Sequence, residues 1–500
     1  MQDIAQKAKS GAAWLTLSQL IRPGWEFLVG IVLARILSPE EFGIVAIGMI
    51  FYGLVAIMST FGISSAIVQK KTLQHNHIVT AQTIVTLLGL LIFCAIIAIA
   101  PLLGLFFNKP LAGTVLSYFS INFVVGSFGI IPTALMAKKM QFKIISIIET
   151  SASIIYGVSA LILAYQGFGV WSLVYSPILS VSFSSFASCL AAAYVPKFGW
   201  DKLAVRELMK FGGTLTLSSI LNYIARNVDF FIIGKMLGTT PLGLYKRAYD
   251  LAVFPKEKVS DLLGRILFPF LCEIRDDRLW VKSAYLKTTK AIAFFCFPVL
   301  LGFVLTAPEL IKVVYGEKWL GSIIPLKIIS FGGMFYCLAA PFGSILLIYG
   351  KTGYYLILQV CYASMLLIGT IIGVQFGIEG VSVGVLVTLF FVLGLSFYFC
   401  KVEVKFSLLG YLSNLKIVFI SCGSMVFGVL LLNYLLTEVS DQLRLFAKTF
   451  LGIAIYFGVF LFSGDSLLKD LGLRDSNRLL TLFSPLRRMF FYAIHGKKLF

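Results

Sequence analysis

Apolar stretches of about 20 residues recur along the whole chain, separated by short segments that carry most of the charge. Each is long enough to cross a hydrocarbon core about 30 Å thick as a helix rising about 1.5 Å per residue. Six come first, at 11–37, 42–68, 78–100, 111–136, 144–165 and 169–194. Six more follow, at 212–237, 245–271, 289–314, 323–349, 354–376 and 380–400, and two close the series at 412–436 and 443–462. The pattern predicts an all-α integral membrane protein of about fourteen transmembrane helices. Its expected parts are a first six-span set (1–195), a linker (196–211), a second six-span set (212–405), a final pair of spans (406–464) and a basic tail (465–500).

In the linker Lys202, Arg206 and Lys210 recur at i, i+4 and i+8, opposite Leu203 and Leu208, as expected for a helix lying on the cytoplasmic membrane face. Lys and Arg collect in the segments on one side of the alternating runs. By the positive-inside rule that side is the cytoplasm, which places both termini there. The tail, with Arg487, Arg488, Lys497 and Lys498, suits anionic lipid. The 11–37 run is too long for a signal-peptide core and lacks a small-residue cleavage site, so it reads as a retained first span.

Composition fits this picture, with 59% hydrophobic and 13% charged residues against roughly 25% charged in soluble domains. The net charge of +19, spread between apolar runs, points to topology and anionic lipid, not to nucleic acid. Eight scattered cysteines with no CxxC and only three histidines leave no disulfide framework and no metal site. No phosphate-cradling GxxxxGK[ST] loop and no catalytic constellation is present, so neither an enzyme nor a cofactor is expected.

A shift of 200 residues superposes Leu15-Thr16-Leu17-Ser18 on Leu215-Thr216-Leu217-Ser218, Arg35-Ile36-Leu37 on Lys235-Met236-Leu237, and Phe42-Gly43 on Leu242-Gly243. The first span of each six-span set is therefore read as the same element. With an even number of spans per copy, the copies share orientation and should be related by an axis along the membrane normal.

The residues Leu237-Gly238, Leu242-Gly243-Leu244-Tyr245, Ala248-Tyr249, Leu267-Phe268-Pro269, Arg275-Asp276-Asp277, Phe297-Pro298, Ala307-Pro308-Glu309 and Gly316-Glu317-Lys318-Trp319 resemble the polysaccharide-transporter flippases. In the first set, Ala34-Arg35-Ile36-Leu37-Ser38-Pro39-Glu40-Glu41-Phe42-Gly43 and Gly167-Phe168-Gly169-Val170-Trp171 are similar to the same family. The likeness is greatest to the Wzx-type lipopolysaccharide and colanic acid exporters, and it runs from Lys9 to about Lys405. The resemblance implies the multidrug/oligosaccharidyl-lipid/polysaccharide (MOP) superfamily, with two six-helix lobes in a V around a cavity that opens alternately to either side. It further implies, as substrate, oligosaccharide repeat units on undecaprenyl pyrophosphate, flipped across a bacterial inner membrane for lipopolysaccharide or exopolysaccharide synthesis. A polymerase and glycosyltransferases would be partners, and H+ or Na+ a coupling ion. A cation-coupled multidrug (MATE-type) antiporter and a membrane-embedded polysaccharide-assembly enzyme are the alternatives.

Moving a pyrophosphate through hydrocarbon requires cations, so ionisable residues inside spans are the candidates; each costs roughly 2.5–3.5 kcal/mol at a helix centre unless paired or hydrated. Arg22 and Glu26 stand at i, i+4 in the middle of the first span. Arg226 occupies the repeat equivalent of Glu26, with Asp229 at i+3. Arg22 and Arg226 are expected to bind the pyrophosphate and Glu26 and Asp229 to hold them otherwise; a permanent ion-pair network is the bland alternative. In the eighth span Lys258, Asp261 and Arg265 complete the expected cavity set, unless that helix begins late and places its lysines in a loop. A desolvated Glu26, Asp229 or Asp261 is suited to proton uptake. Glu149, Lys290 and Lys327, near span ends, read as structural. Trp171, Tyr194 and Trp319 read as interface anchors, and Trp14 and Trp25 as sugar-stacking or lipid-packing residues.

Overall fold

The computed structural model describes residues 2–60, 62–70, 72–404, 407–436 and 439–463, without the helical side chains at 2–13, 15–17, 19–20, 60, 208–218, 256–266, 268–269 and 402–404. The basic tail at 465–500 and its Arg487, Arg488, Lys497 and Lys498 lie outside the described residues. Helix dominates, and among the described residues there is no strand. In lipid a backbone N–H has no water to bond, so a spanning chain must satisfy itself within helices.

Contacts group the chain into two compact units, Met1–Leu244 and Tyr245–Phe500. The first contains α1 (Gln2–Ile36), α2 (Pro39–Thr60), α3 (Ile63–Gln69), α4 (His75–Phe106), α5 (Pro110–Phe119), α6 (Ile121–Lys138), α7 (Phe142–Tyr165), α8 (Val170–Ala191), α9 (Lys202–Met236) and the start of α10 (Thr239–Glu273). Here α7 packs between α1 and α8, α8 also meets α6, and α9 lies against α2, α3 and α4. The repeat is visible in these bounds. Those of α1 and α9 differ by 200 at both ends, and the starts of α2 and α10 differ by 200 as well. Gly43 and Gly243 make a reciprocal crossing: a Cβ on Gly43 would lie 1.8 Å from the Thr239 carbonyl oxygen, and one on Gly243 1.9 Å from that of Pro39. Only glycine permits so close a backbone approach.

The linker differs from expectation at its start. Residues 194–201 form no helix, and α9 begins only at Lys202 and runs unbroken into the seventh predicted span. Asp201 causes this, since its Oδ1 caps the helix by accepting from Leu203 N (2.9 Å) and Ala204 N (3.4 Å). Thr83 pins the extended stretch, its hydroxyl accepting from Gly199 N and donating to Gly199 O, both at 2.9 Å.

The second unit holds the rest of α10, then α11 (Arg278–Leu310), α12 (Ile323–Ile348), α13 (Thr352–Gly373), α14 (Gly377–Val404), α15 (Leu408–Leu435) and α16 (Asp441–Phe462). A π turn, Ile311–Tyr315, and a 3₁₀ turn, Glu317–Ser322, join α11 to α12. Gly369 and Gly373 on α13 face Gly384 and Gly380 on α14 so closely that a Cβ on Gly380 would stand 2.2 Å from the Gly373 carbonyl oxygen. Two small-xxx-small stripes thus replace hydrophobic driving force with backbone contact, as helices in lipid require. The final pair is built into the core. Tyr411, Leu415, Cys422, Met425, Tyr456 and Phe460 are buried with Phe294, Phe297 and Phe342 of α11 and α12. Tyr456 also donates to the Phe294 carbonyl at 2.9 Å.

Among the described residues ten helical segments are long and apolar enough to span a membrane, and Thr352–Lys401, at 50 residues, covers two predicted spans. The chain is a multi-pass membrane protein. The three 35-residue helices α1, α9 and α10 are not among the ten, and they carry the candidate charges. At about 52 Å each, they exceed the hydrocarbon thickness.

Candidate functional site

α1 presents its charged positions toward α7, its main packing partner. Arg22 Nε donates to Glu26 Oε1 at 2.9 Å, one helical turn on. Its Nη1 lies 3.7 Å from Glu149 Oε2 on α7, so the residue expected to be structural belongs to the charged group. Ser153, also on α7, donates to Glu26 Oε1 at 3.1 Å. Trp25 is drawn into the same seam, donating to the Ser153 carbonyl at 3.0 Å, while Gly157 makes room for its ring. A seam tryptophan held this way packs helices, while the ring of Trp14 has Lys143 Nζ 5.2 Å from its centroid.

The three charged side chains are 46% (Arg22), 42% (Glu26) and 47% (Glu149) exposed. Facing lipid, such a group would carry the full cost of charge in hydrocarbon; facing water, it is accessible to ligands. One guanidinium held by two carboxylates is therefore an open site with competing anions already in place.

On α9 the repeat-related positions carry the same motif with its roles exchanged. Arg226 Nε donates to Asn222 Oδ1 at 3.1 Å, so the cation stands where α1 has Glu26 and its partner where α1 has Arg22. Arg226 is exposed, whereas Asp229 is buried at 1% exposure, its Oδ1 accepting from Phe230 N at 2.9 Å. The side chains of Lys258, Asp261 and Arg265 lie outside the described residues.

Sequence reasoning missed two further charged clusters. In the second unit Lys448 of α16 reaches Glu309 of α11 at 2.5 Å, their side chains 3% and 6% exposed, and Lys312 pairs with Asp441 at 2.7 Å. Glu309 belongs to the Ala307-Pro308-Glu309 motif, yet its partner lies 139 positions on, in a span that carried none of the resemblance. In the first unit Glu207 on α9 pairs with Lys70 and lies 3.2 Å from His77 Nε2. Trp319, expected as an interface anchor, is fully buried beside Tyr315 with the Arg247 guanidinium 5.9 Å from its ring centroid, a cation–π contact inside the unit. Among the described residues no cluster of His, Cys, Asp and Glu could hold a metal.

The helical body defines a multi-pass membrane protein, and comparison with known proteins narrows that class. Residues 32–324 match the polysaccharide biosynthesis protein family, and the chain belongs to that family. It is 29% identical over 392 residues to the lipopolysaccharide biosynthesis protein WzxC of Escherichia coli (strain K12), covering 77% of this chain and 79% of that one. In fold it is similar to the lipid II flippase MurJ, with a TM-score of 0.75 at 14% identity, over 92% of this chain and 99% of that chain. An inward-facing multidrug-resistance MATE transporter of the MOP superfamily superposes with a TM-score of 0.63 at 15% identity, over 79% and 98% of the two chains.

Proposed function

We propose that the chain flips undecaprenyl-pyrophosphate-linked oligosaccharide repeat units from the cytoplasmic to the outer leaflet of a bacterial inner membrane, for lipopolysaccharide or exopolysaccharide synthesis. The observation that carries this is the half-exposed Arg22 between Glu26 and Glu149 in the middle of a span. Family membership and the likeness to WzxC and to the MurJ fold support it. In this reading about fourteen helices form two six-helix lobes and a final pair, both termini are cytoplasmic, and alternating access exposes the site to each side in turn.

The cargo's pyrophosphate displaces the carboxylates from Arg22, and Arg226 supplies a second cation. On sequence grounds Lys258, Asp261 and Arg265 join this set. When a proton, or Na+ in its place, neutralises Glu26 or Glu149, Arg22 is released for the next cargo, which links transport to an ion gradient. The protein carries out no bond chemistry; glycosyltransferases supply the cargo and a polymerase consumes it.

The test is deletion of the gene followed by leaflet-resolved analysis of lipid-linked repeat units. The expected outcome is accumulation on the cytoplasmic leaflet, restored by wild type and not by an Arg22→Ala protein that inserts normally. Normal export by that variant would refute the assignment of the site, and absence of accumulation in the deletion strain would refute the function.

A further inference from the structure

α3, α6 and α8 line an open cavity of about 820 Å³ in the first unit, separate from the Arg22 group. It lies near the α3–α4 turn, since Ser64, Ser65 and Gln69 belong to the short α3, which Gln69 closes, and Ala137 stands at the end of α6. No residue lining it is charged. Its walls are mainly apolar, from Val68, Ile130 and Val181 with glycine and alanine of α6, and its polar groups are Ser64, Ser65, Gln69, Thr133, Ser184 and Ser185.

The hydrogen bonding of α8 singles these groups out. A helical serine in lipid ordinarily returns its proton to a nearby carbonyl. Ser176 donates to Ser172 O at 2.7 Å, Ser182 to Ile178 O at 2.7 Å and Ser180 across to Ala152 O at 2.8 Å. Among the described residues Ser184 and Ser185 make no such side-chain bond, nor do Ser64, Ser65 and Gln69; these are the side chains that face the cavity. A prenyl tail in this space would cover hydroxyls and an amide without satisfying them, which costs free energy. A pyrophosphate would find no cation. A sugar offers hydroxyl edges to the polar groups and C–H faces to the apolar walls, and a space of this size suits one or a few rings.

We propose that this cavity is a subsite for neutral sugar residues of the cargo, so that the glycan is held by α3, α6 and α8 while the pyrophosphate is held by Arg22. The inference rests on the flippase reading and adds to it where the glycan binds.

The test uses the full chain in lipid nanodiscs, with Ser184→Cys in a background where Cys94, Cys189, Cys272 and Cys361, the cysteines that are not buried, are replaced by serine. A water-soluble maleimide reports on the introduced thiol, in the presence of either lipid-linked repeat units or sugar-free undecaprenyl pyrophosphate. Labelling should slow about tenfold with the glycan-bearing lipid at about ten times its Kd, and not with the sugar-free lipid. Equal protection by both lipids would assign the cavity to the prenyl tail and overturn the proposal. Protection by neither also overturns it, and if the deletion strain still accumulates cargo the flippase reading survives. Because Ser→Cys is nearly isosteric, misfolding does not confuse the result, and Ser64→Cys gives an independent reporter on the opposite wall.

Discussion

Two charged groups lie on the long helices of this protein, one joining α1 to α7 and the other α11 to α16, and they differ in access. Arg22, Glu26 and Glu149 are each more than two-fifths exposed, and the cation has two carboxylates to choose between. Lys448 and Glu309 are almost fully enclosed and hold one another at 2.5 Å. A charge pair that is open and over-supplied with anions can exchange partners. A pair that is closed and matched one to one can only hold, and here it ties α16 to α11 across a core that also contains Tyr456 and Phe460. Charge on the long helices is thus not one signal but two, separated by access.

The largest expected effect comes from breaking the closed pair on one side. Lys448→Met leaves the Glu309 carboxylate buried without its cation and should destabilise the protein by about 3–5 kcal/mol. The double replacement of Lys448 by Met and Glu309 by Leu should recover most of that loss, because a buried pair exchanged for apolar residues is often neutral. Thermal unfolding of the detergent-solubilised variants measures both. If the single variant is as stable as wild type, Lys448 is not a structural clamp.

Opening the comparison from the other side, Arg22→Ala should change stability by less than about 1 kcal/mol, since exposed pairs contribute little. Its effect should fall on transport, with cargo accumulating on the inner leaflet as in the deletion strain. Loss of stability comparable to that of Lys448→Met would collapse the distinction between the two groups.

The open group was legible in sequence where its parts are local. Arg22 and Glu26 lie one turn apart, and an i, i+4 spacing is visible without a fold. Glu149 lies on α7, and nothing local distinguishes a carboxylate near a span end from one that meets a guanidinium. The closed pair was illegible for the same reason, because Glu309 and Lys448 are joined only by the packing of α11 on α16. The 200-residue repeat, by contrast, is a property of order along the chain, and the bounds of α1 and α9 carry the same offset. The Lys202–Lys210 periodicity coincides with the start of α9, whereas 196–201, which lies outside that periodicity, is non-helical because Asp201 caps the helix at Lys202.

A smaller effect sharpens the internal order of the open group. Glu149 stands farther from Arg22 than Glu26 does, 3.7 against 2.9 Å, so its hold is the weaker of the two. Glu149→Gln removes one competitor for the cation and should tighten binding of the pyrophosphate headgroup about two- to fivefold, the equivalent of an exposed pair. Titration of the purified protein with sugar-free undecaprenyl pyrophosphate reads this directly. Weaker binding in the variant would mean that Glu149 positions Arg22 and does not compete for it.

The smallest effect belongs to the pair outside the spans, which tests whether an exposed ion pair can hold an element at all. Lys70, by hydrogen bonding to Glu207, and His77 behind it hold that carboxyl below its ordinary value of 4.5. A lowered folded value means that the attachment of α9 to the α3–α4 turn is complete above 4.5 and is lost only as the pH falls through the lowered value. Exchange of the amides at 202–207, taken relative to its intrinsic pH-dependent rate, should therefore be flat from neutrality down to 4.5 and rise below it. Glu207→Gln, which cannot ionise, should exchange slightly faster and show no such rise. The same rise in Glu207→Gln as in wild type would mean that this carboxylate does not control the attachment.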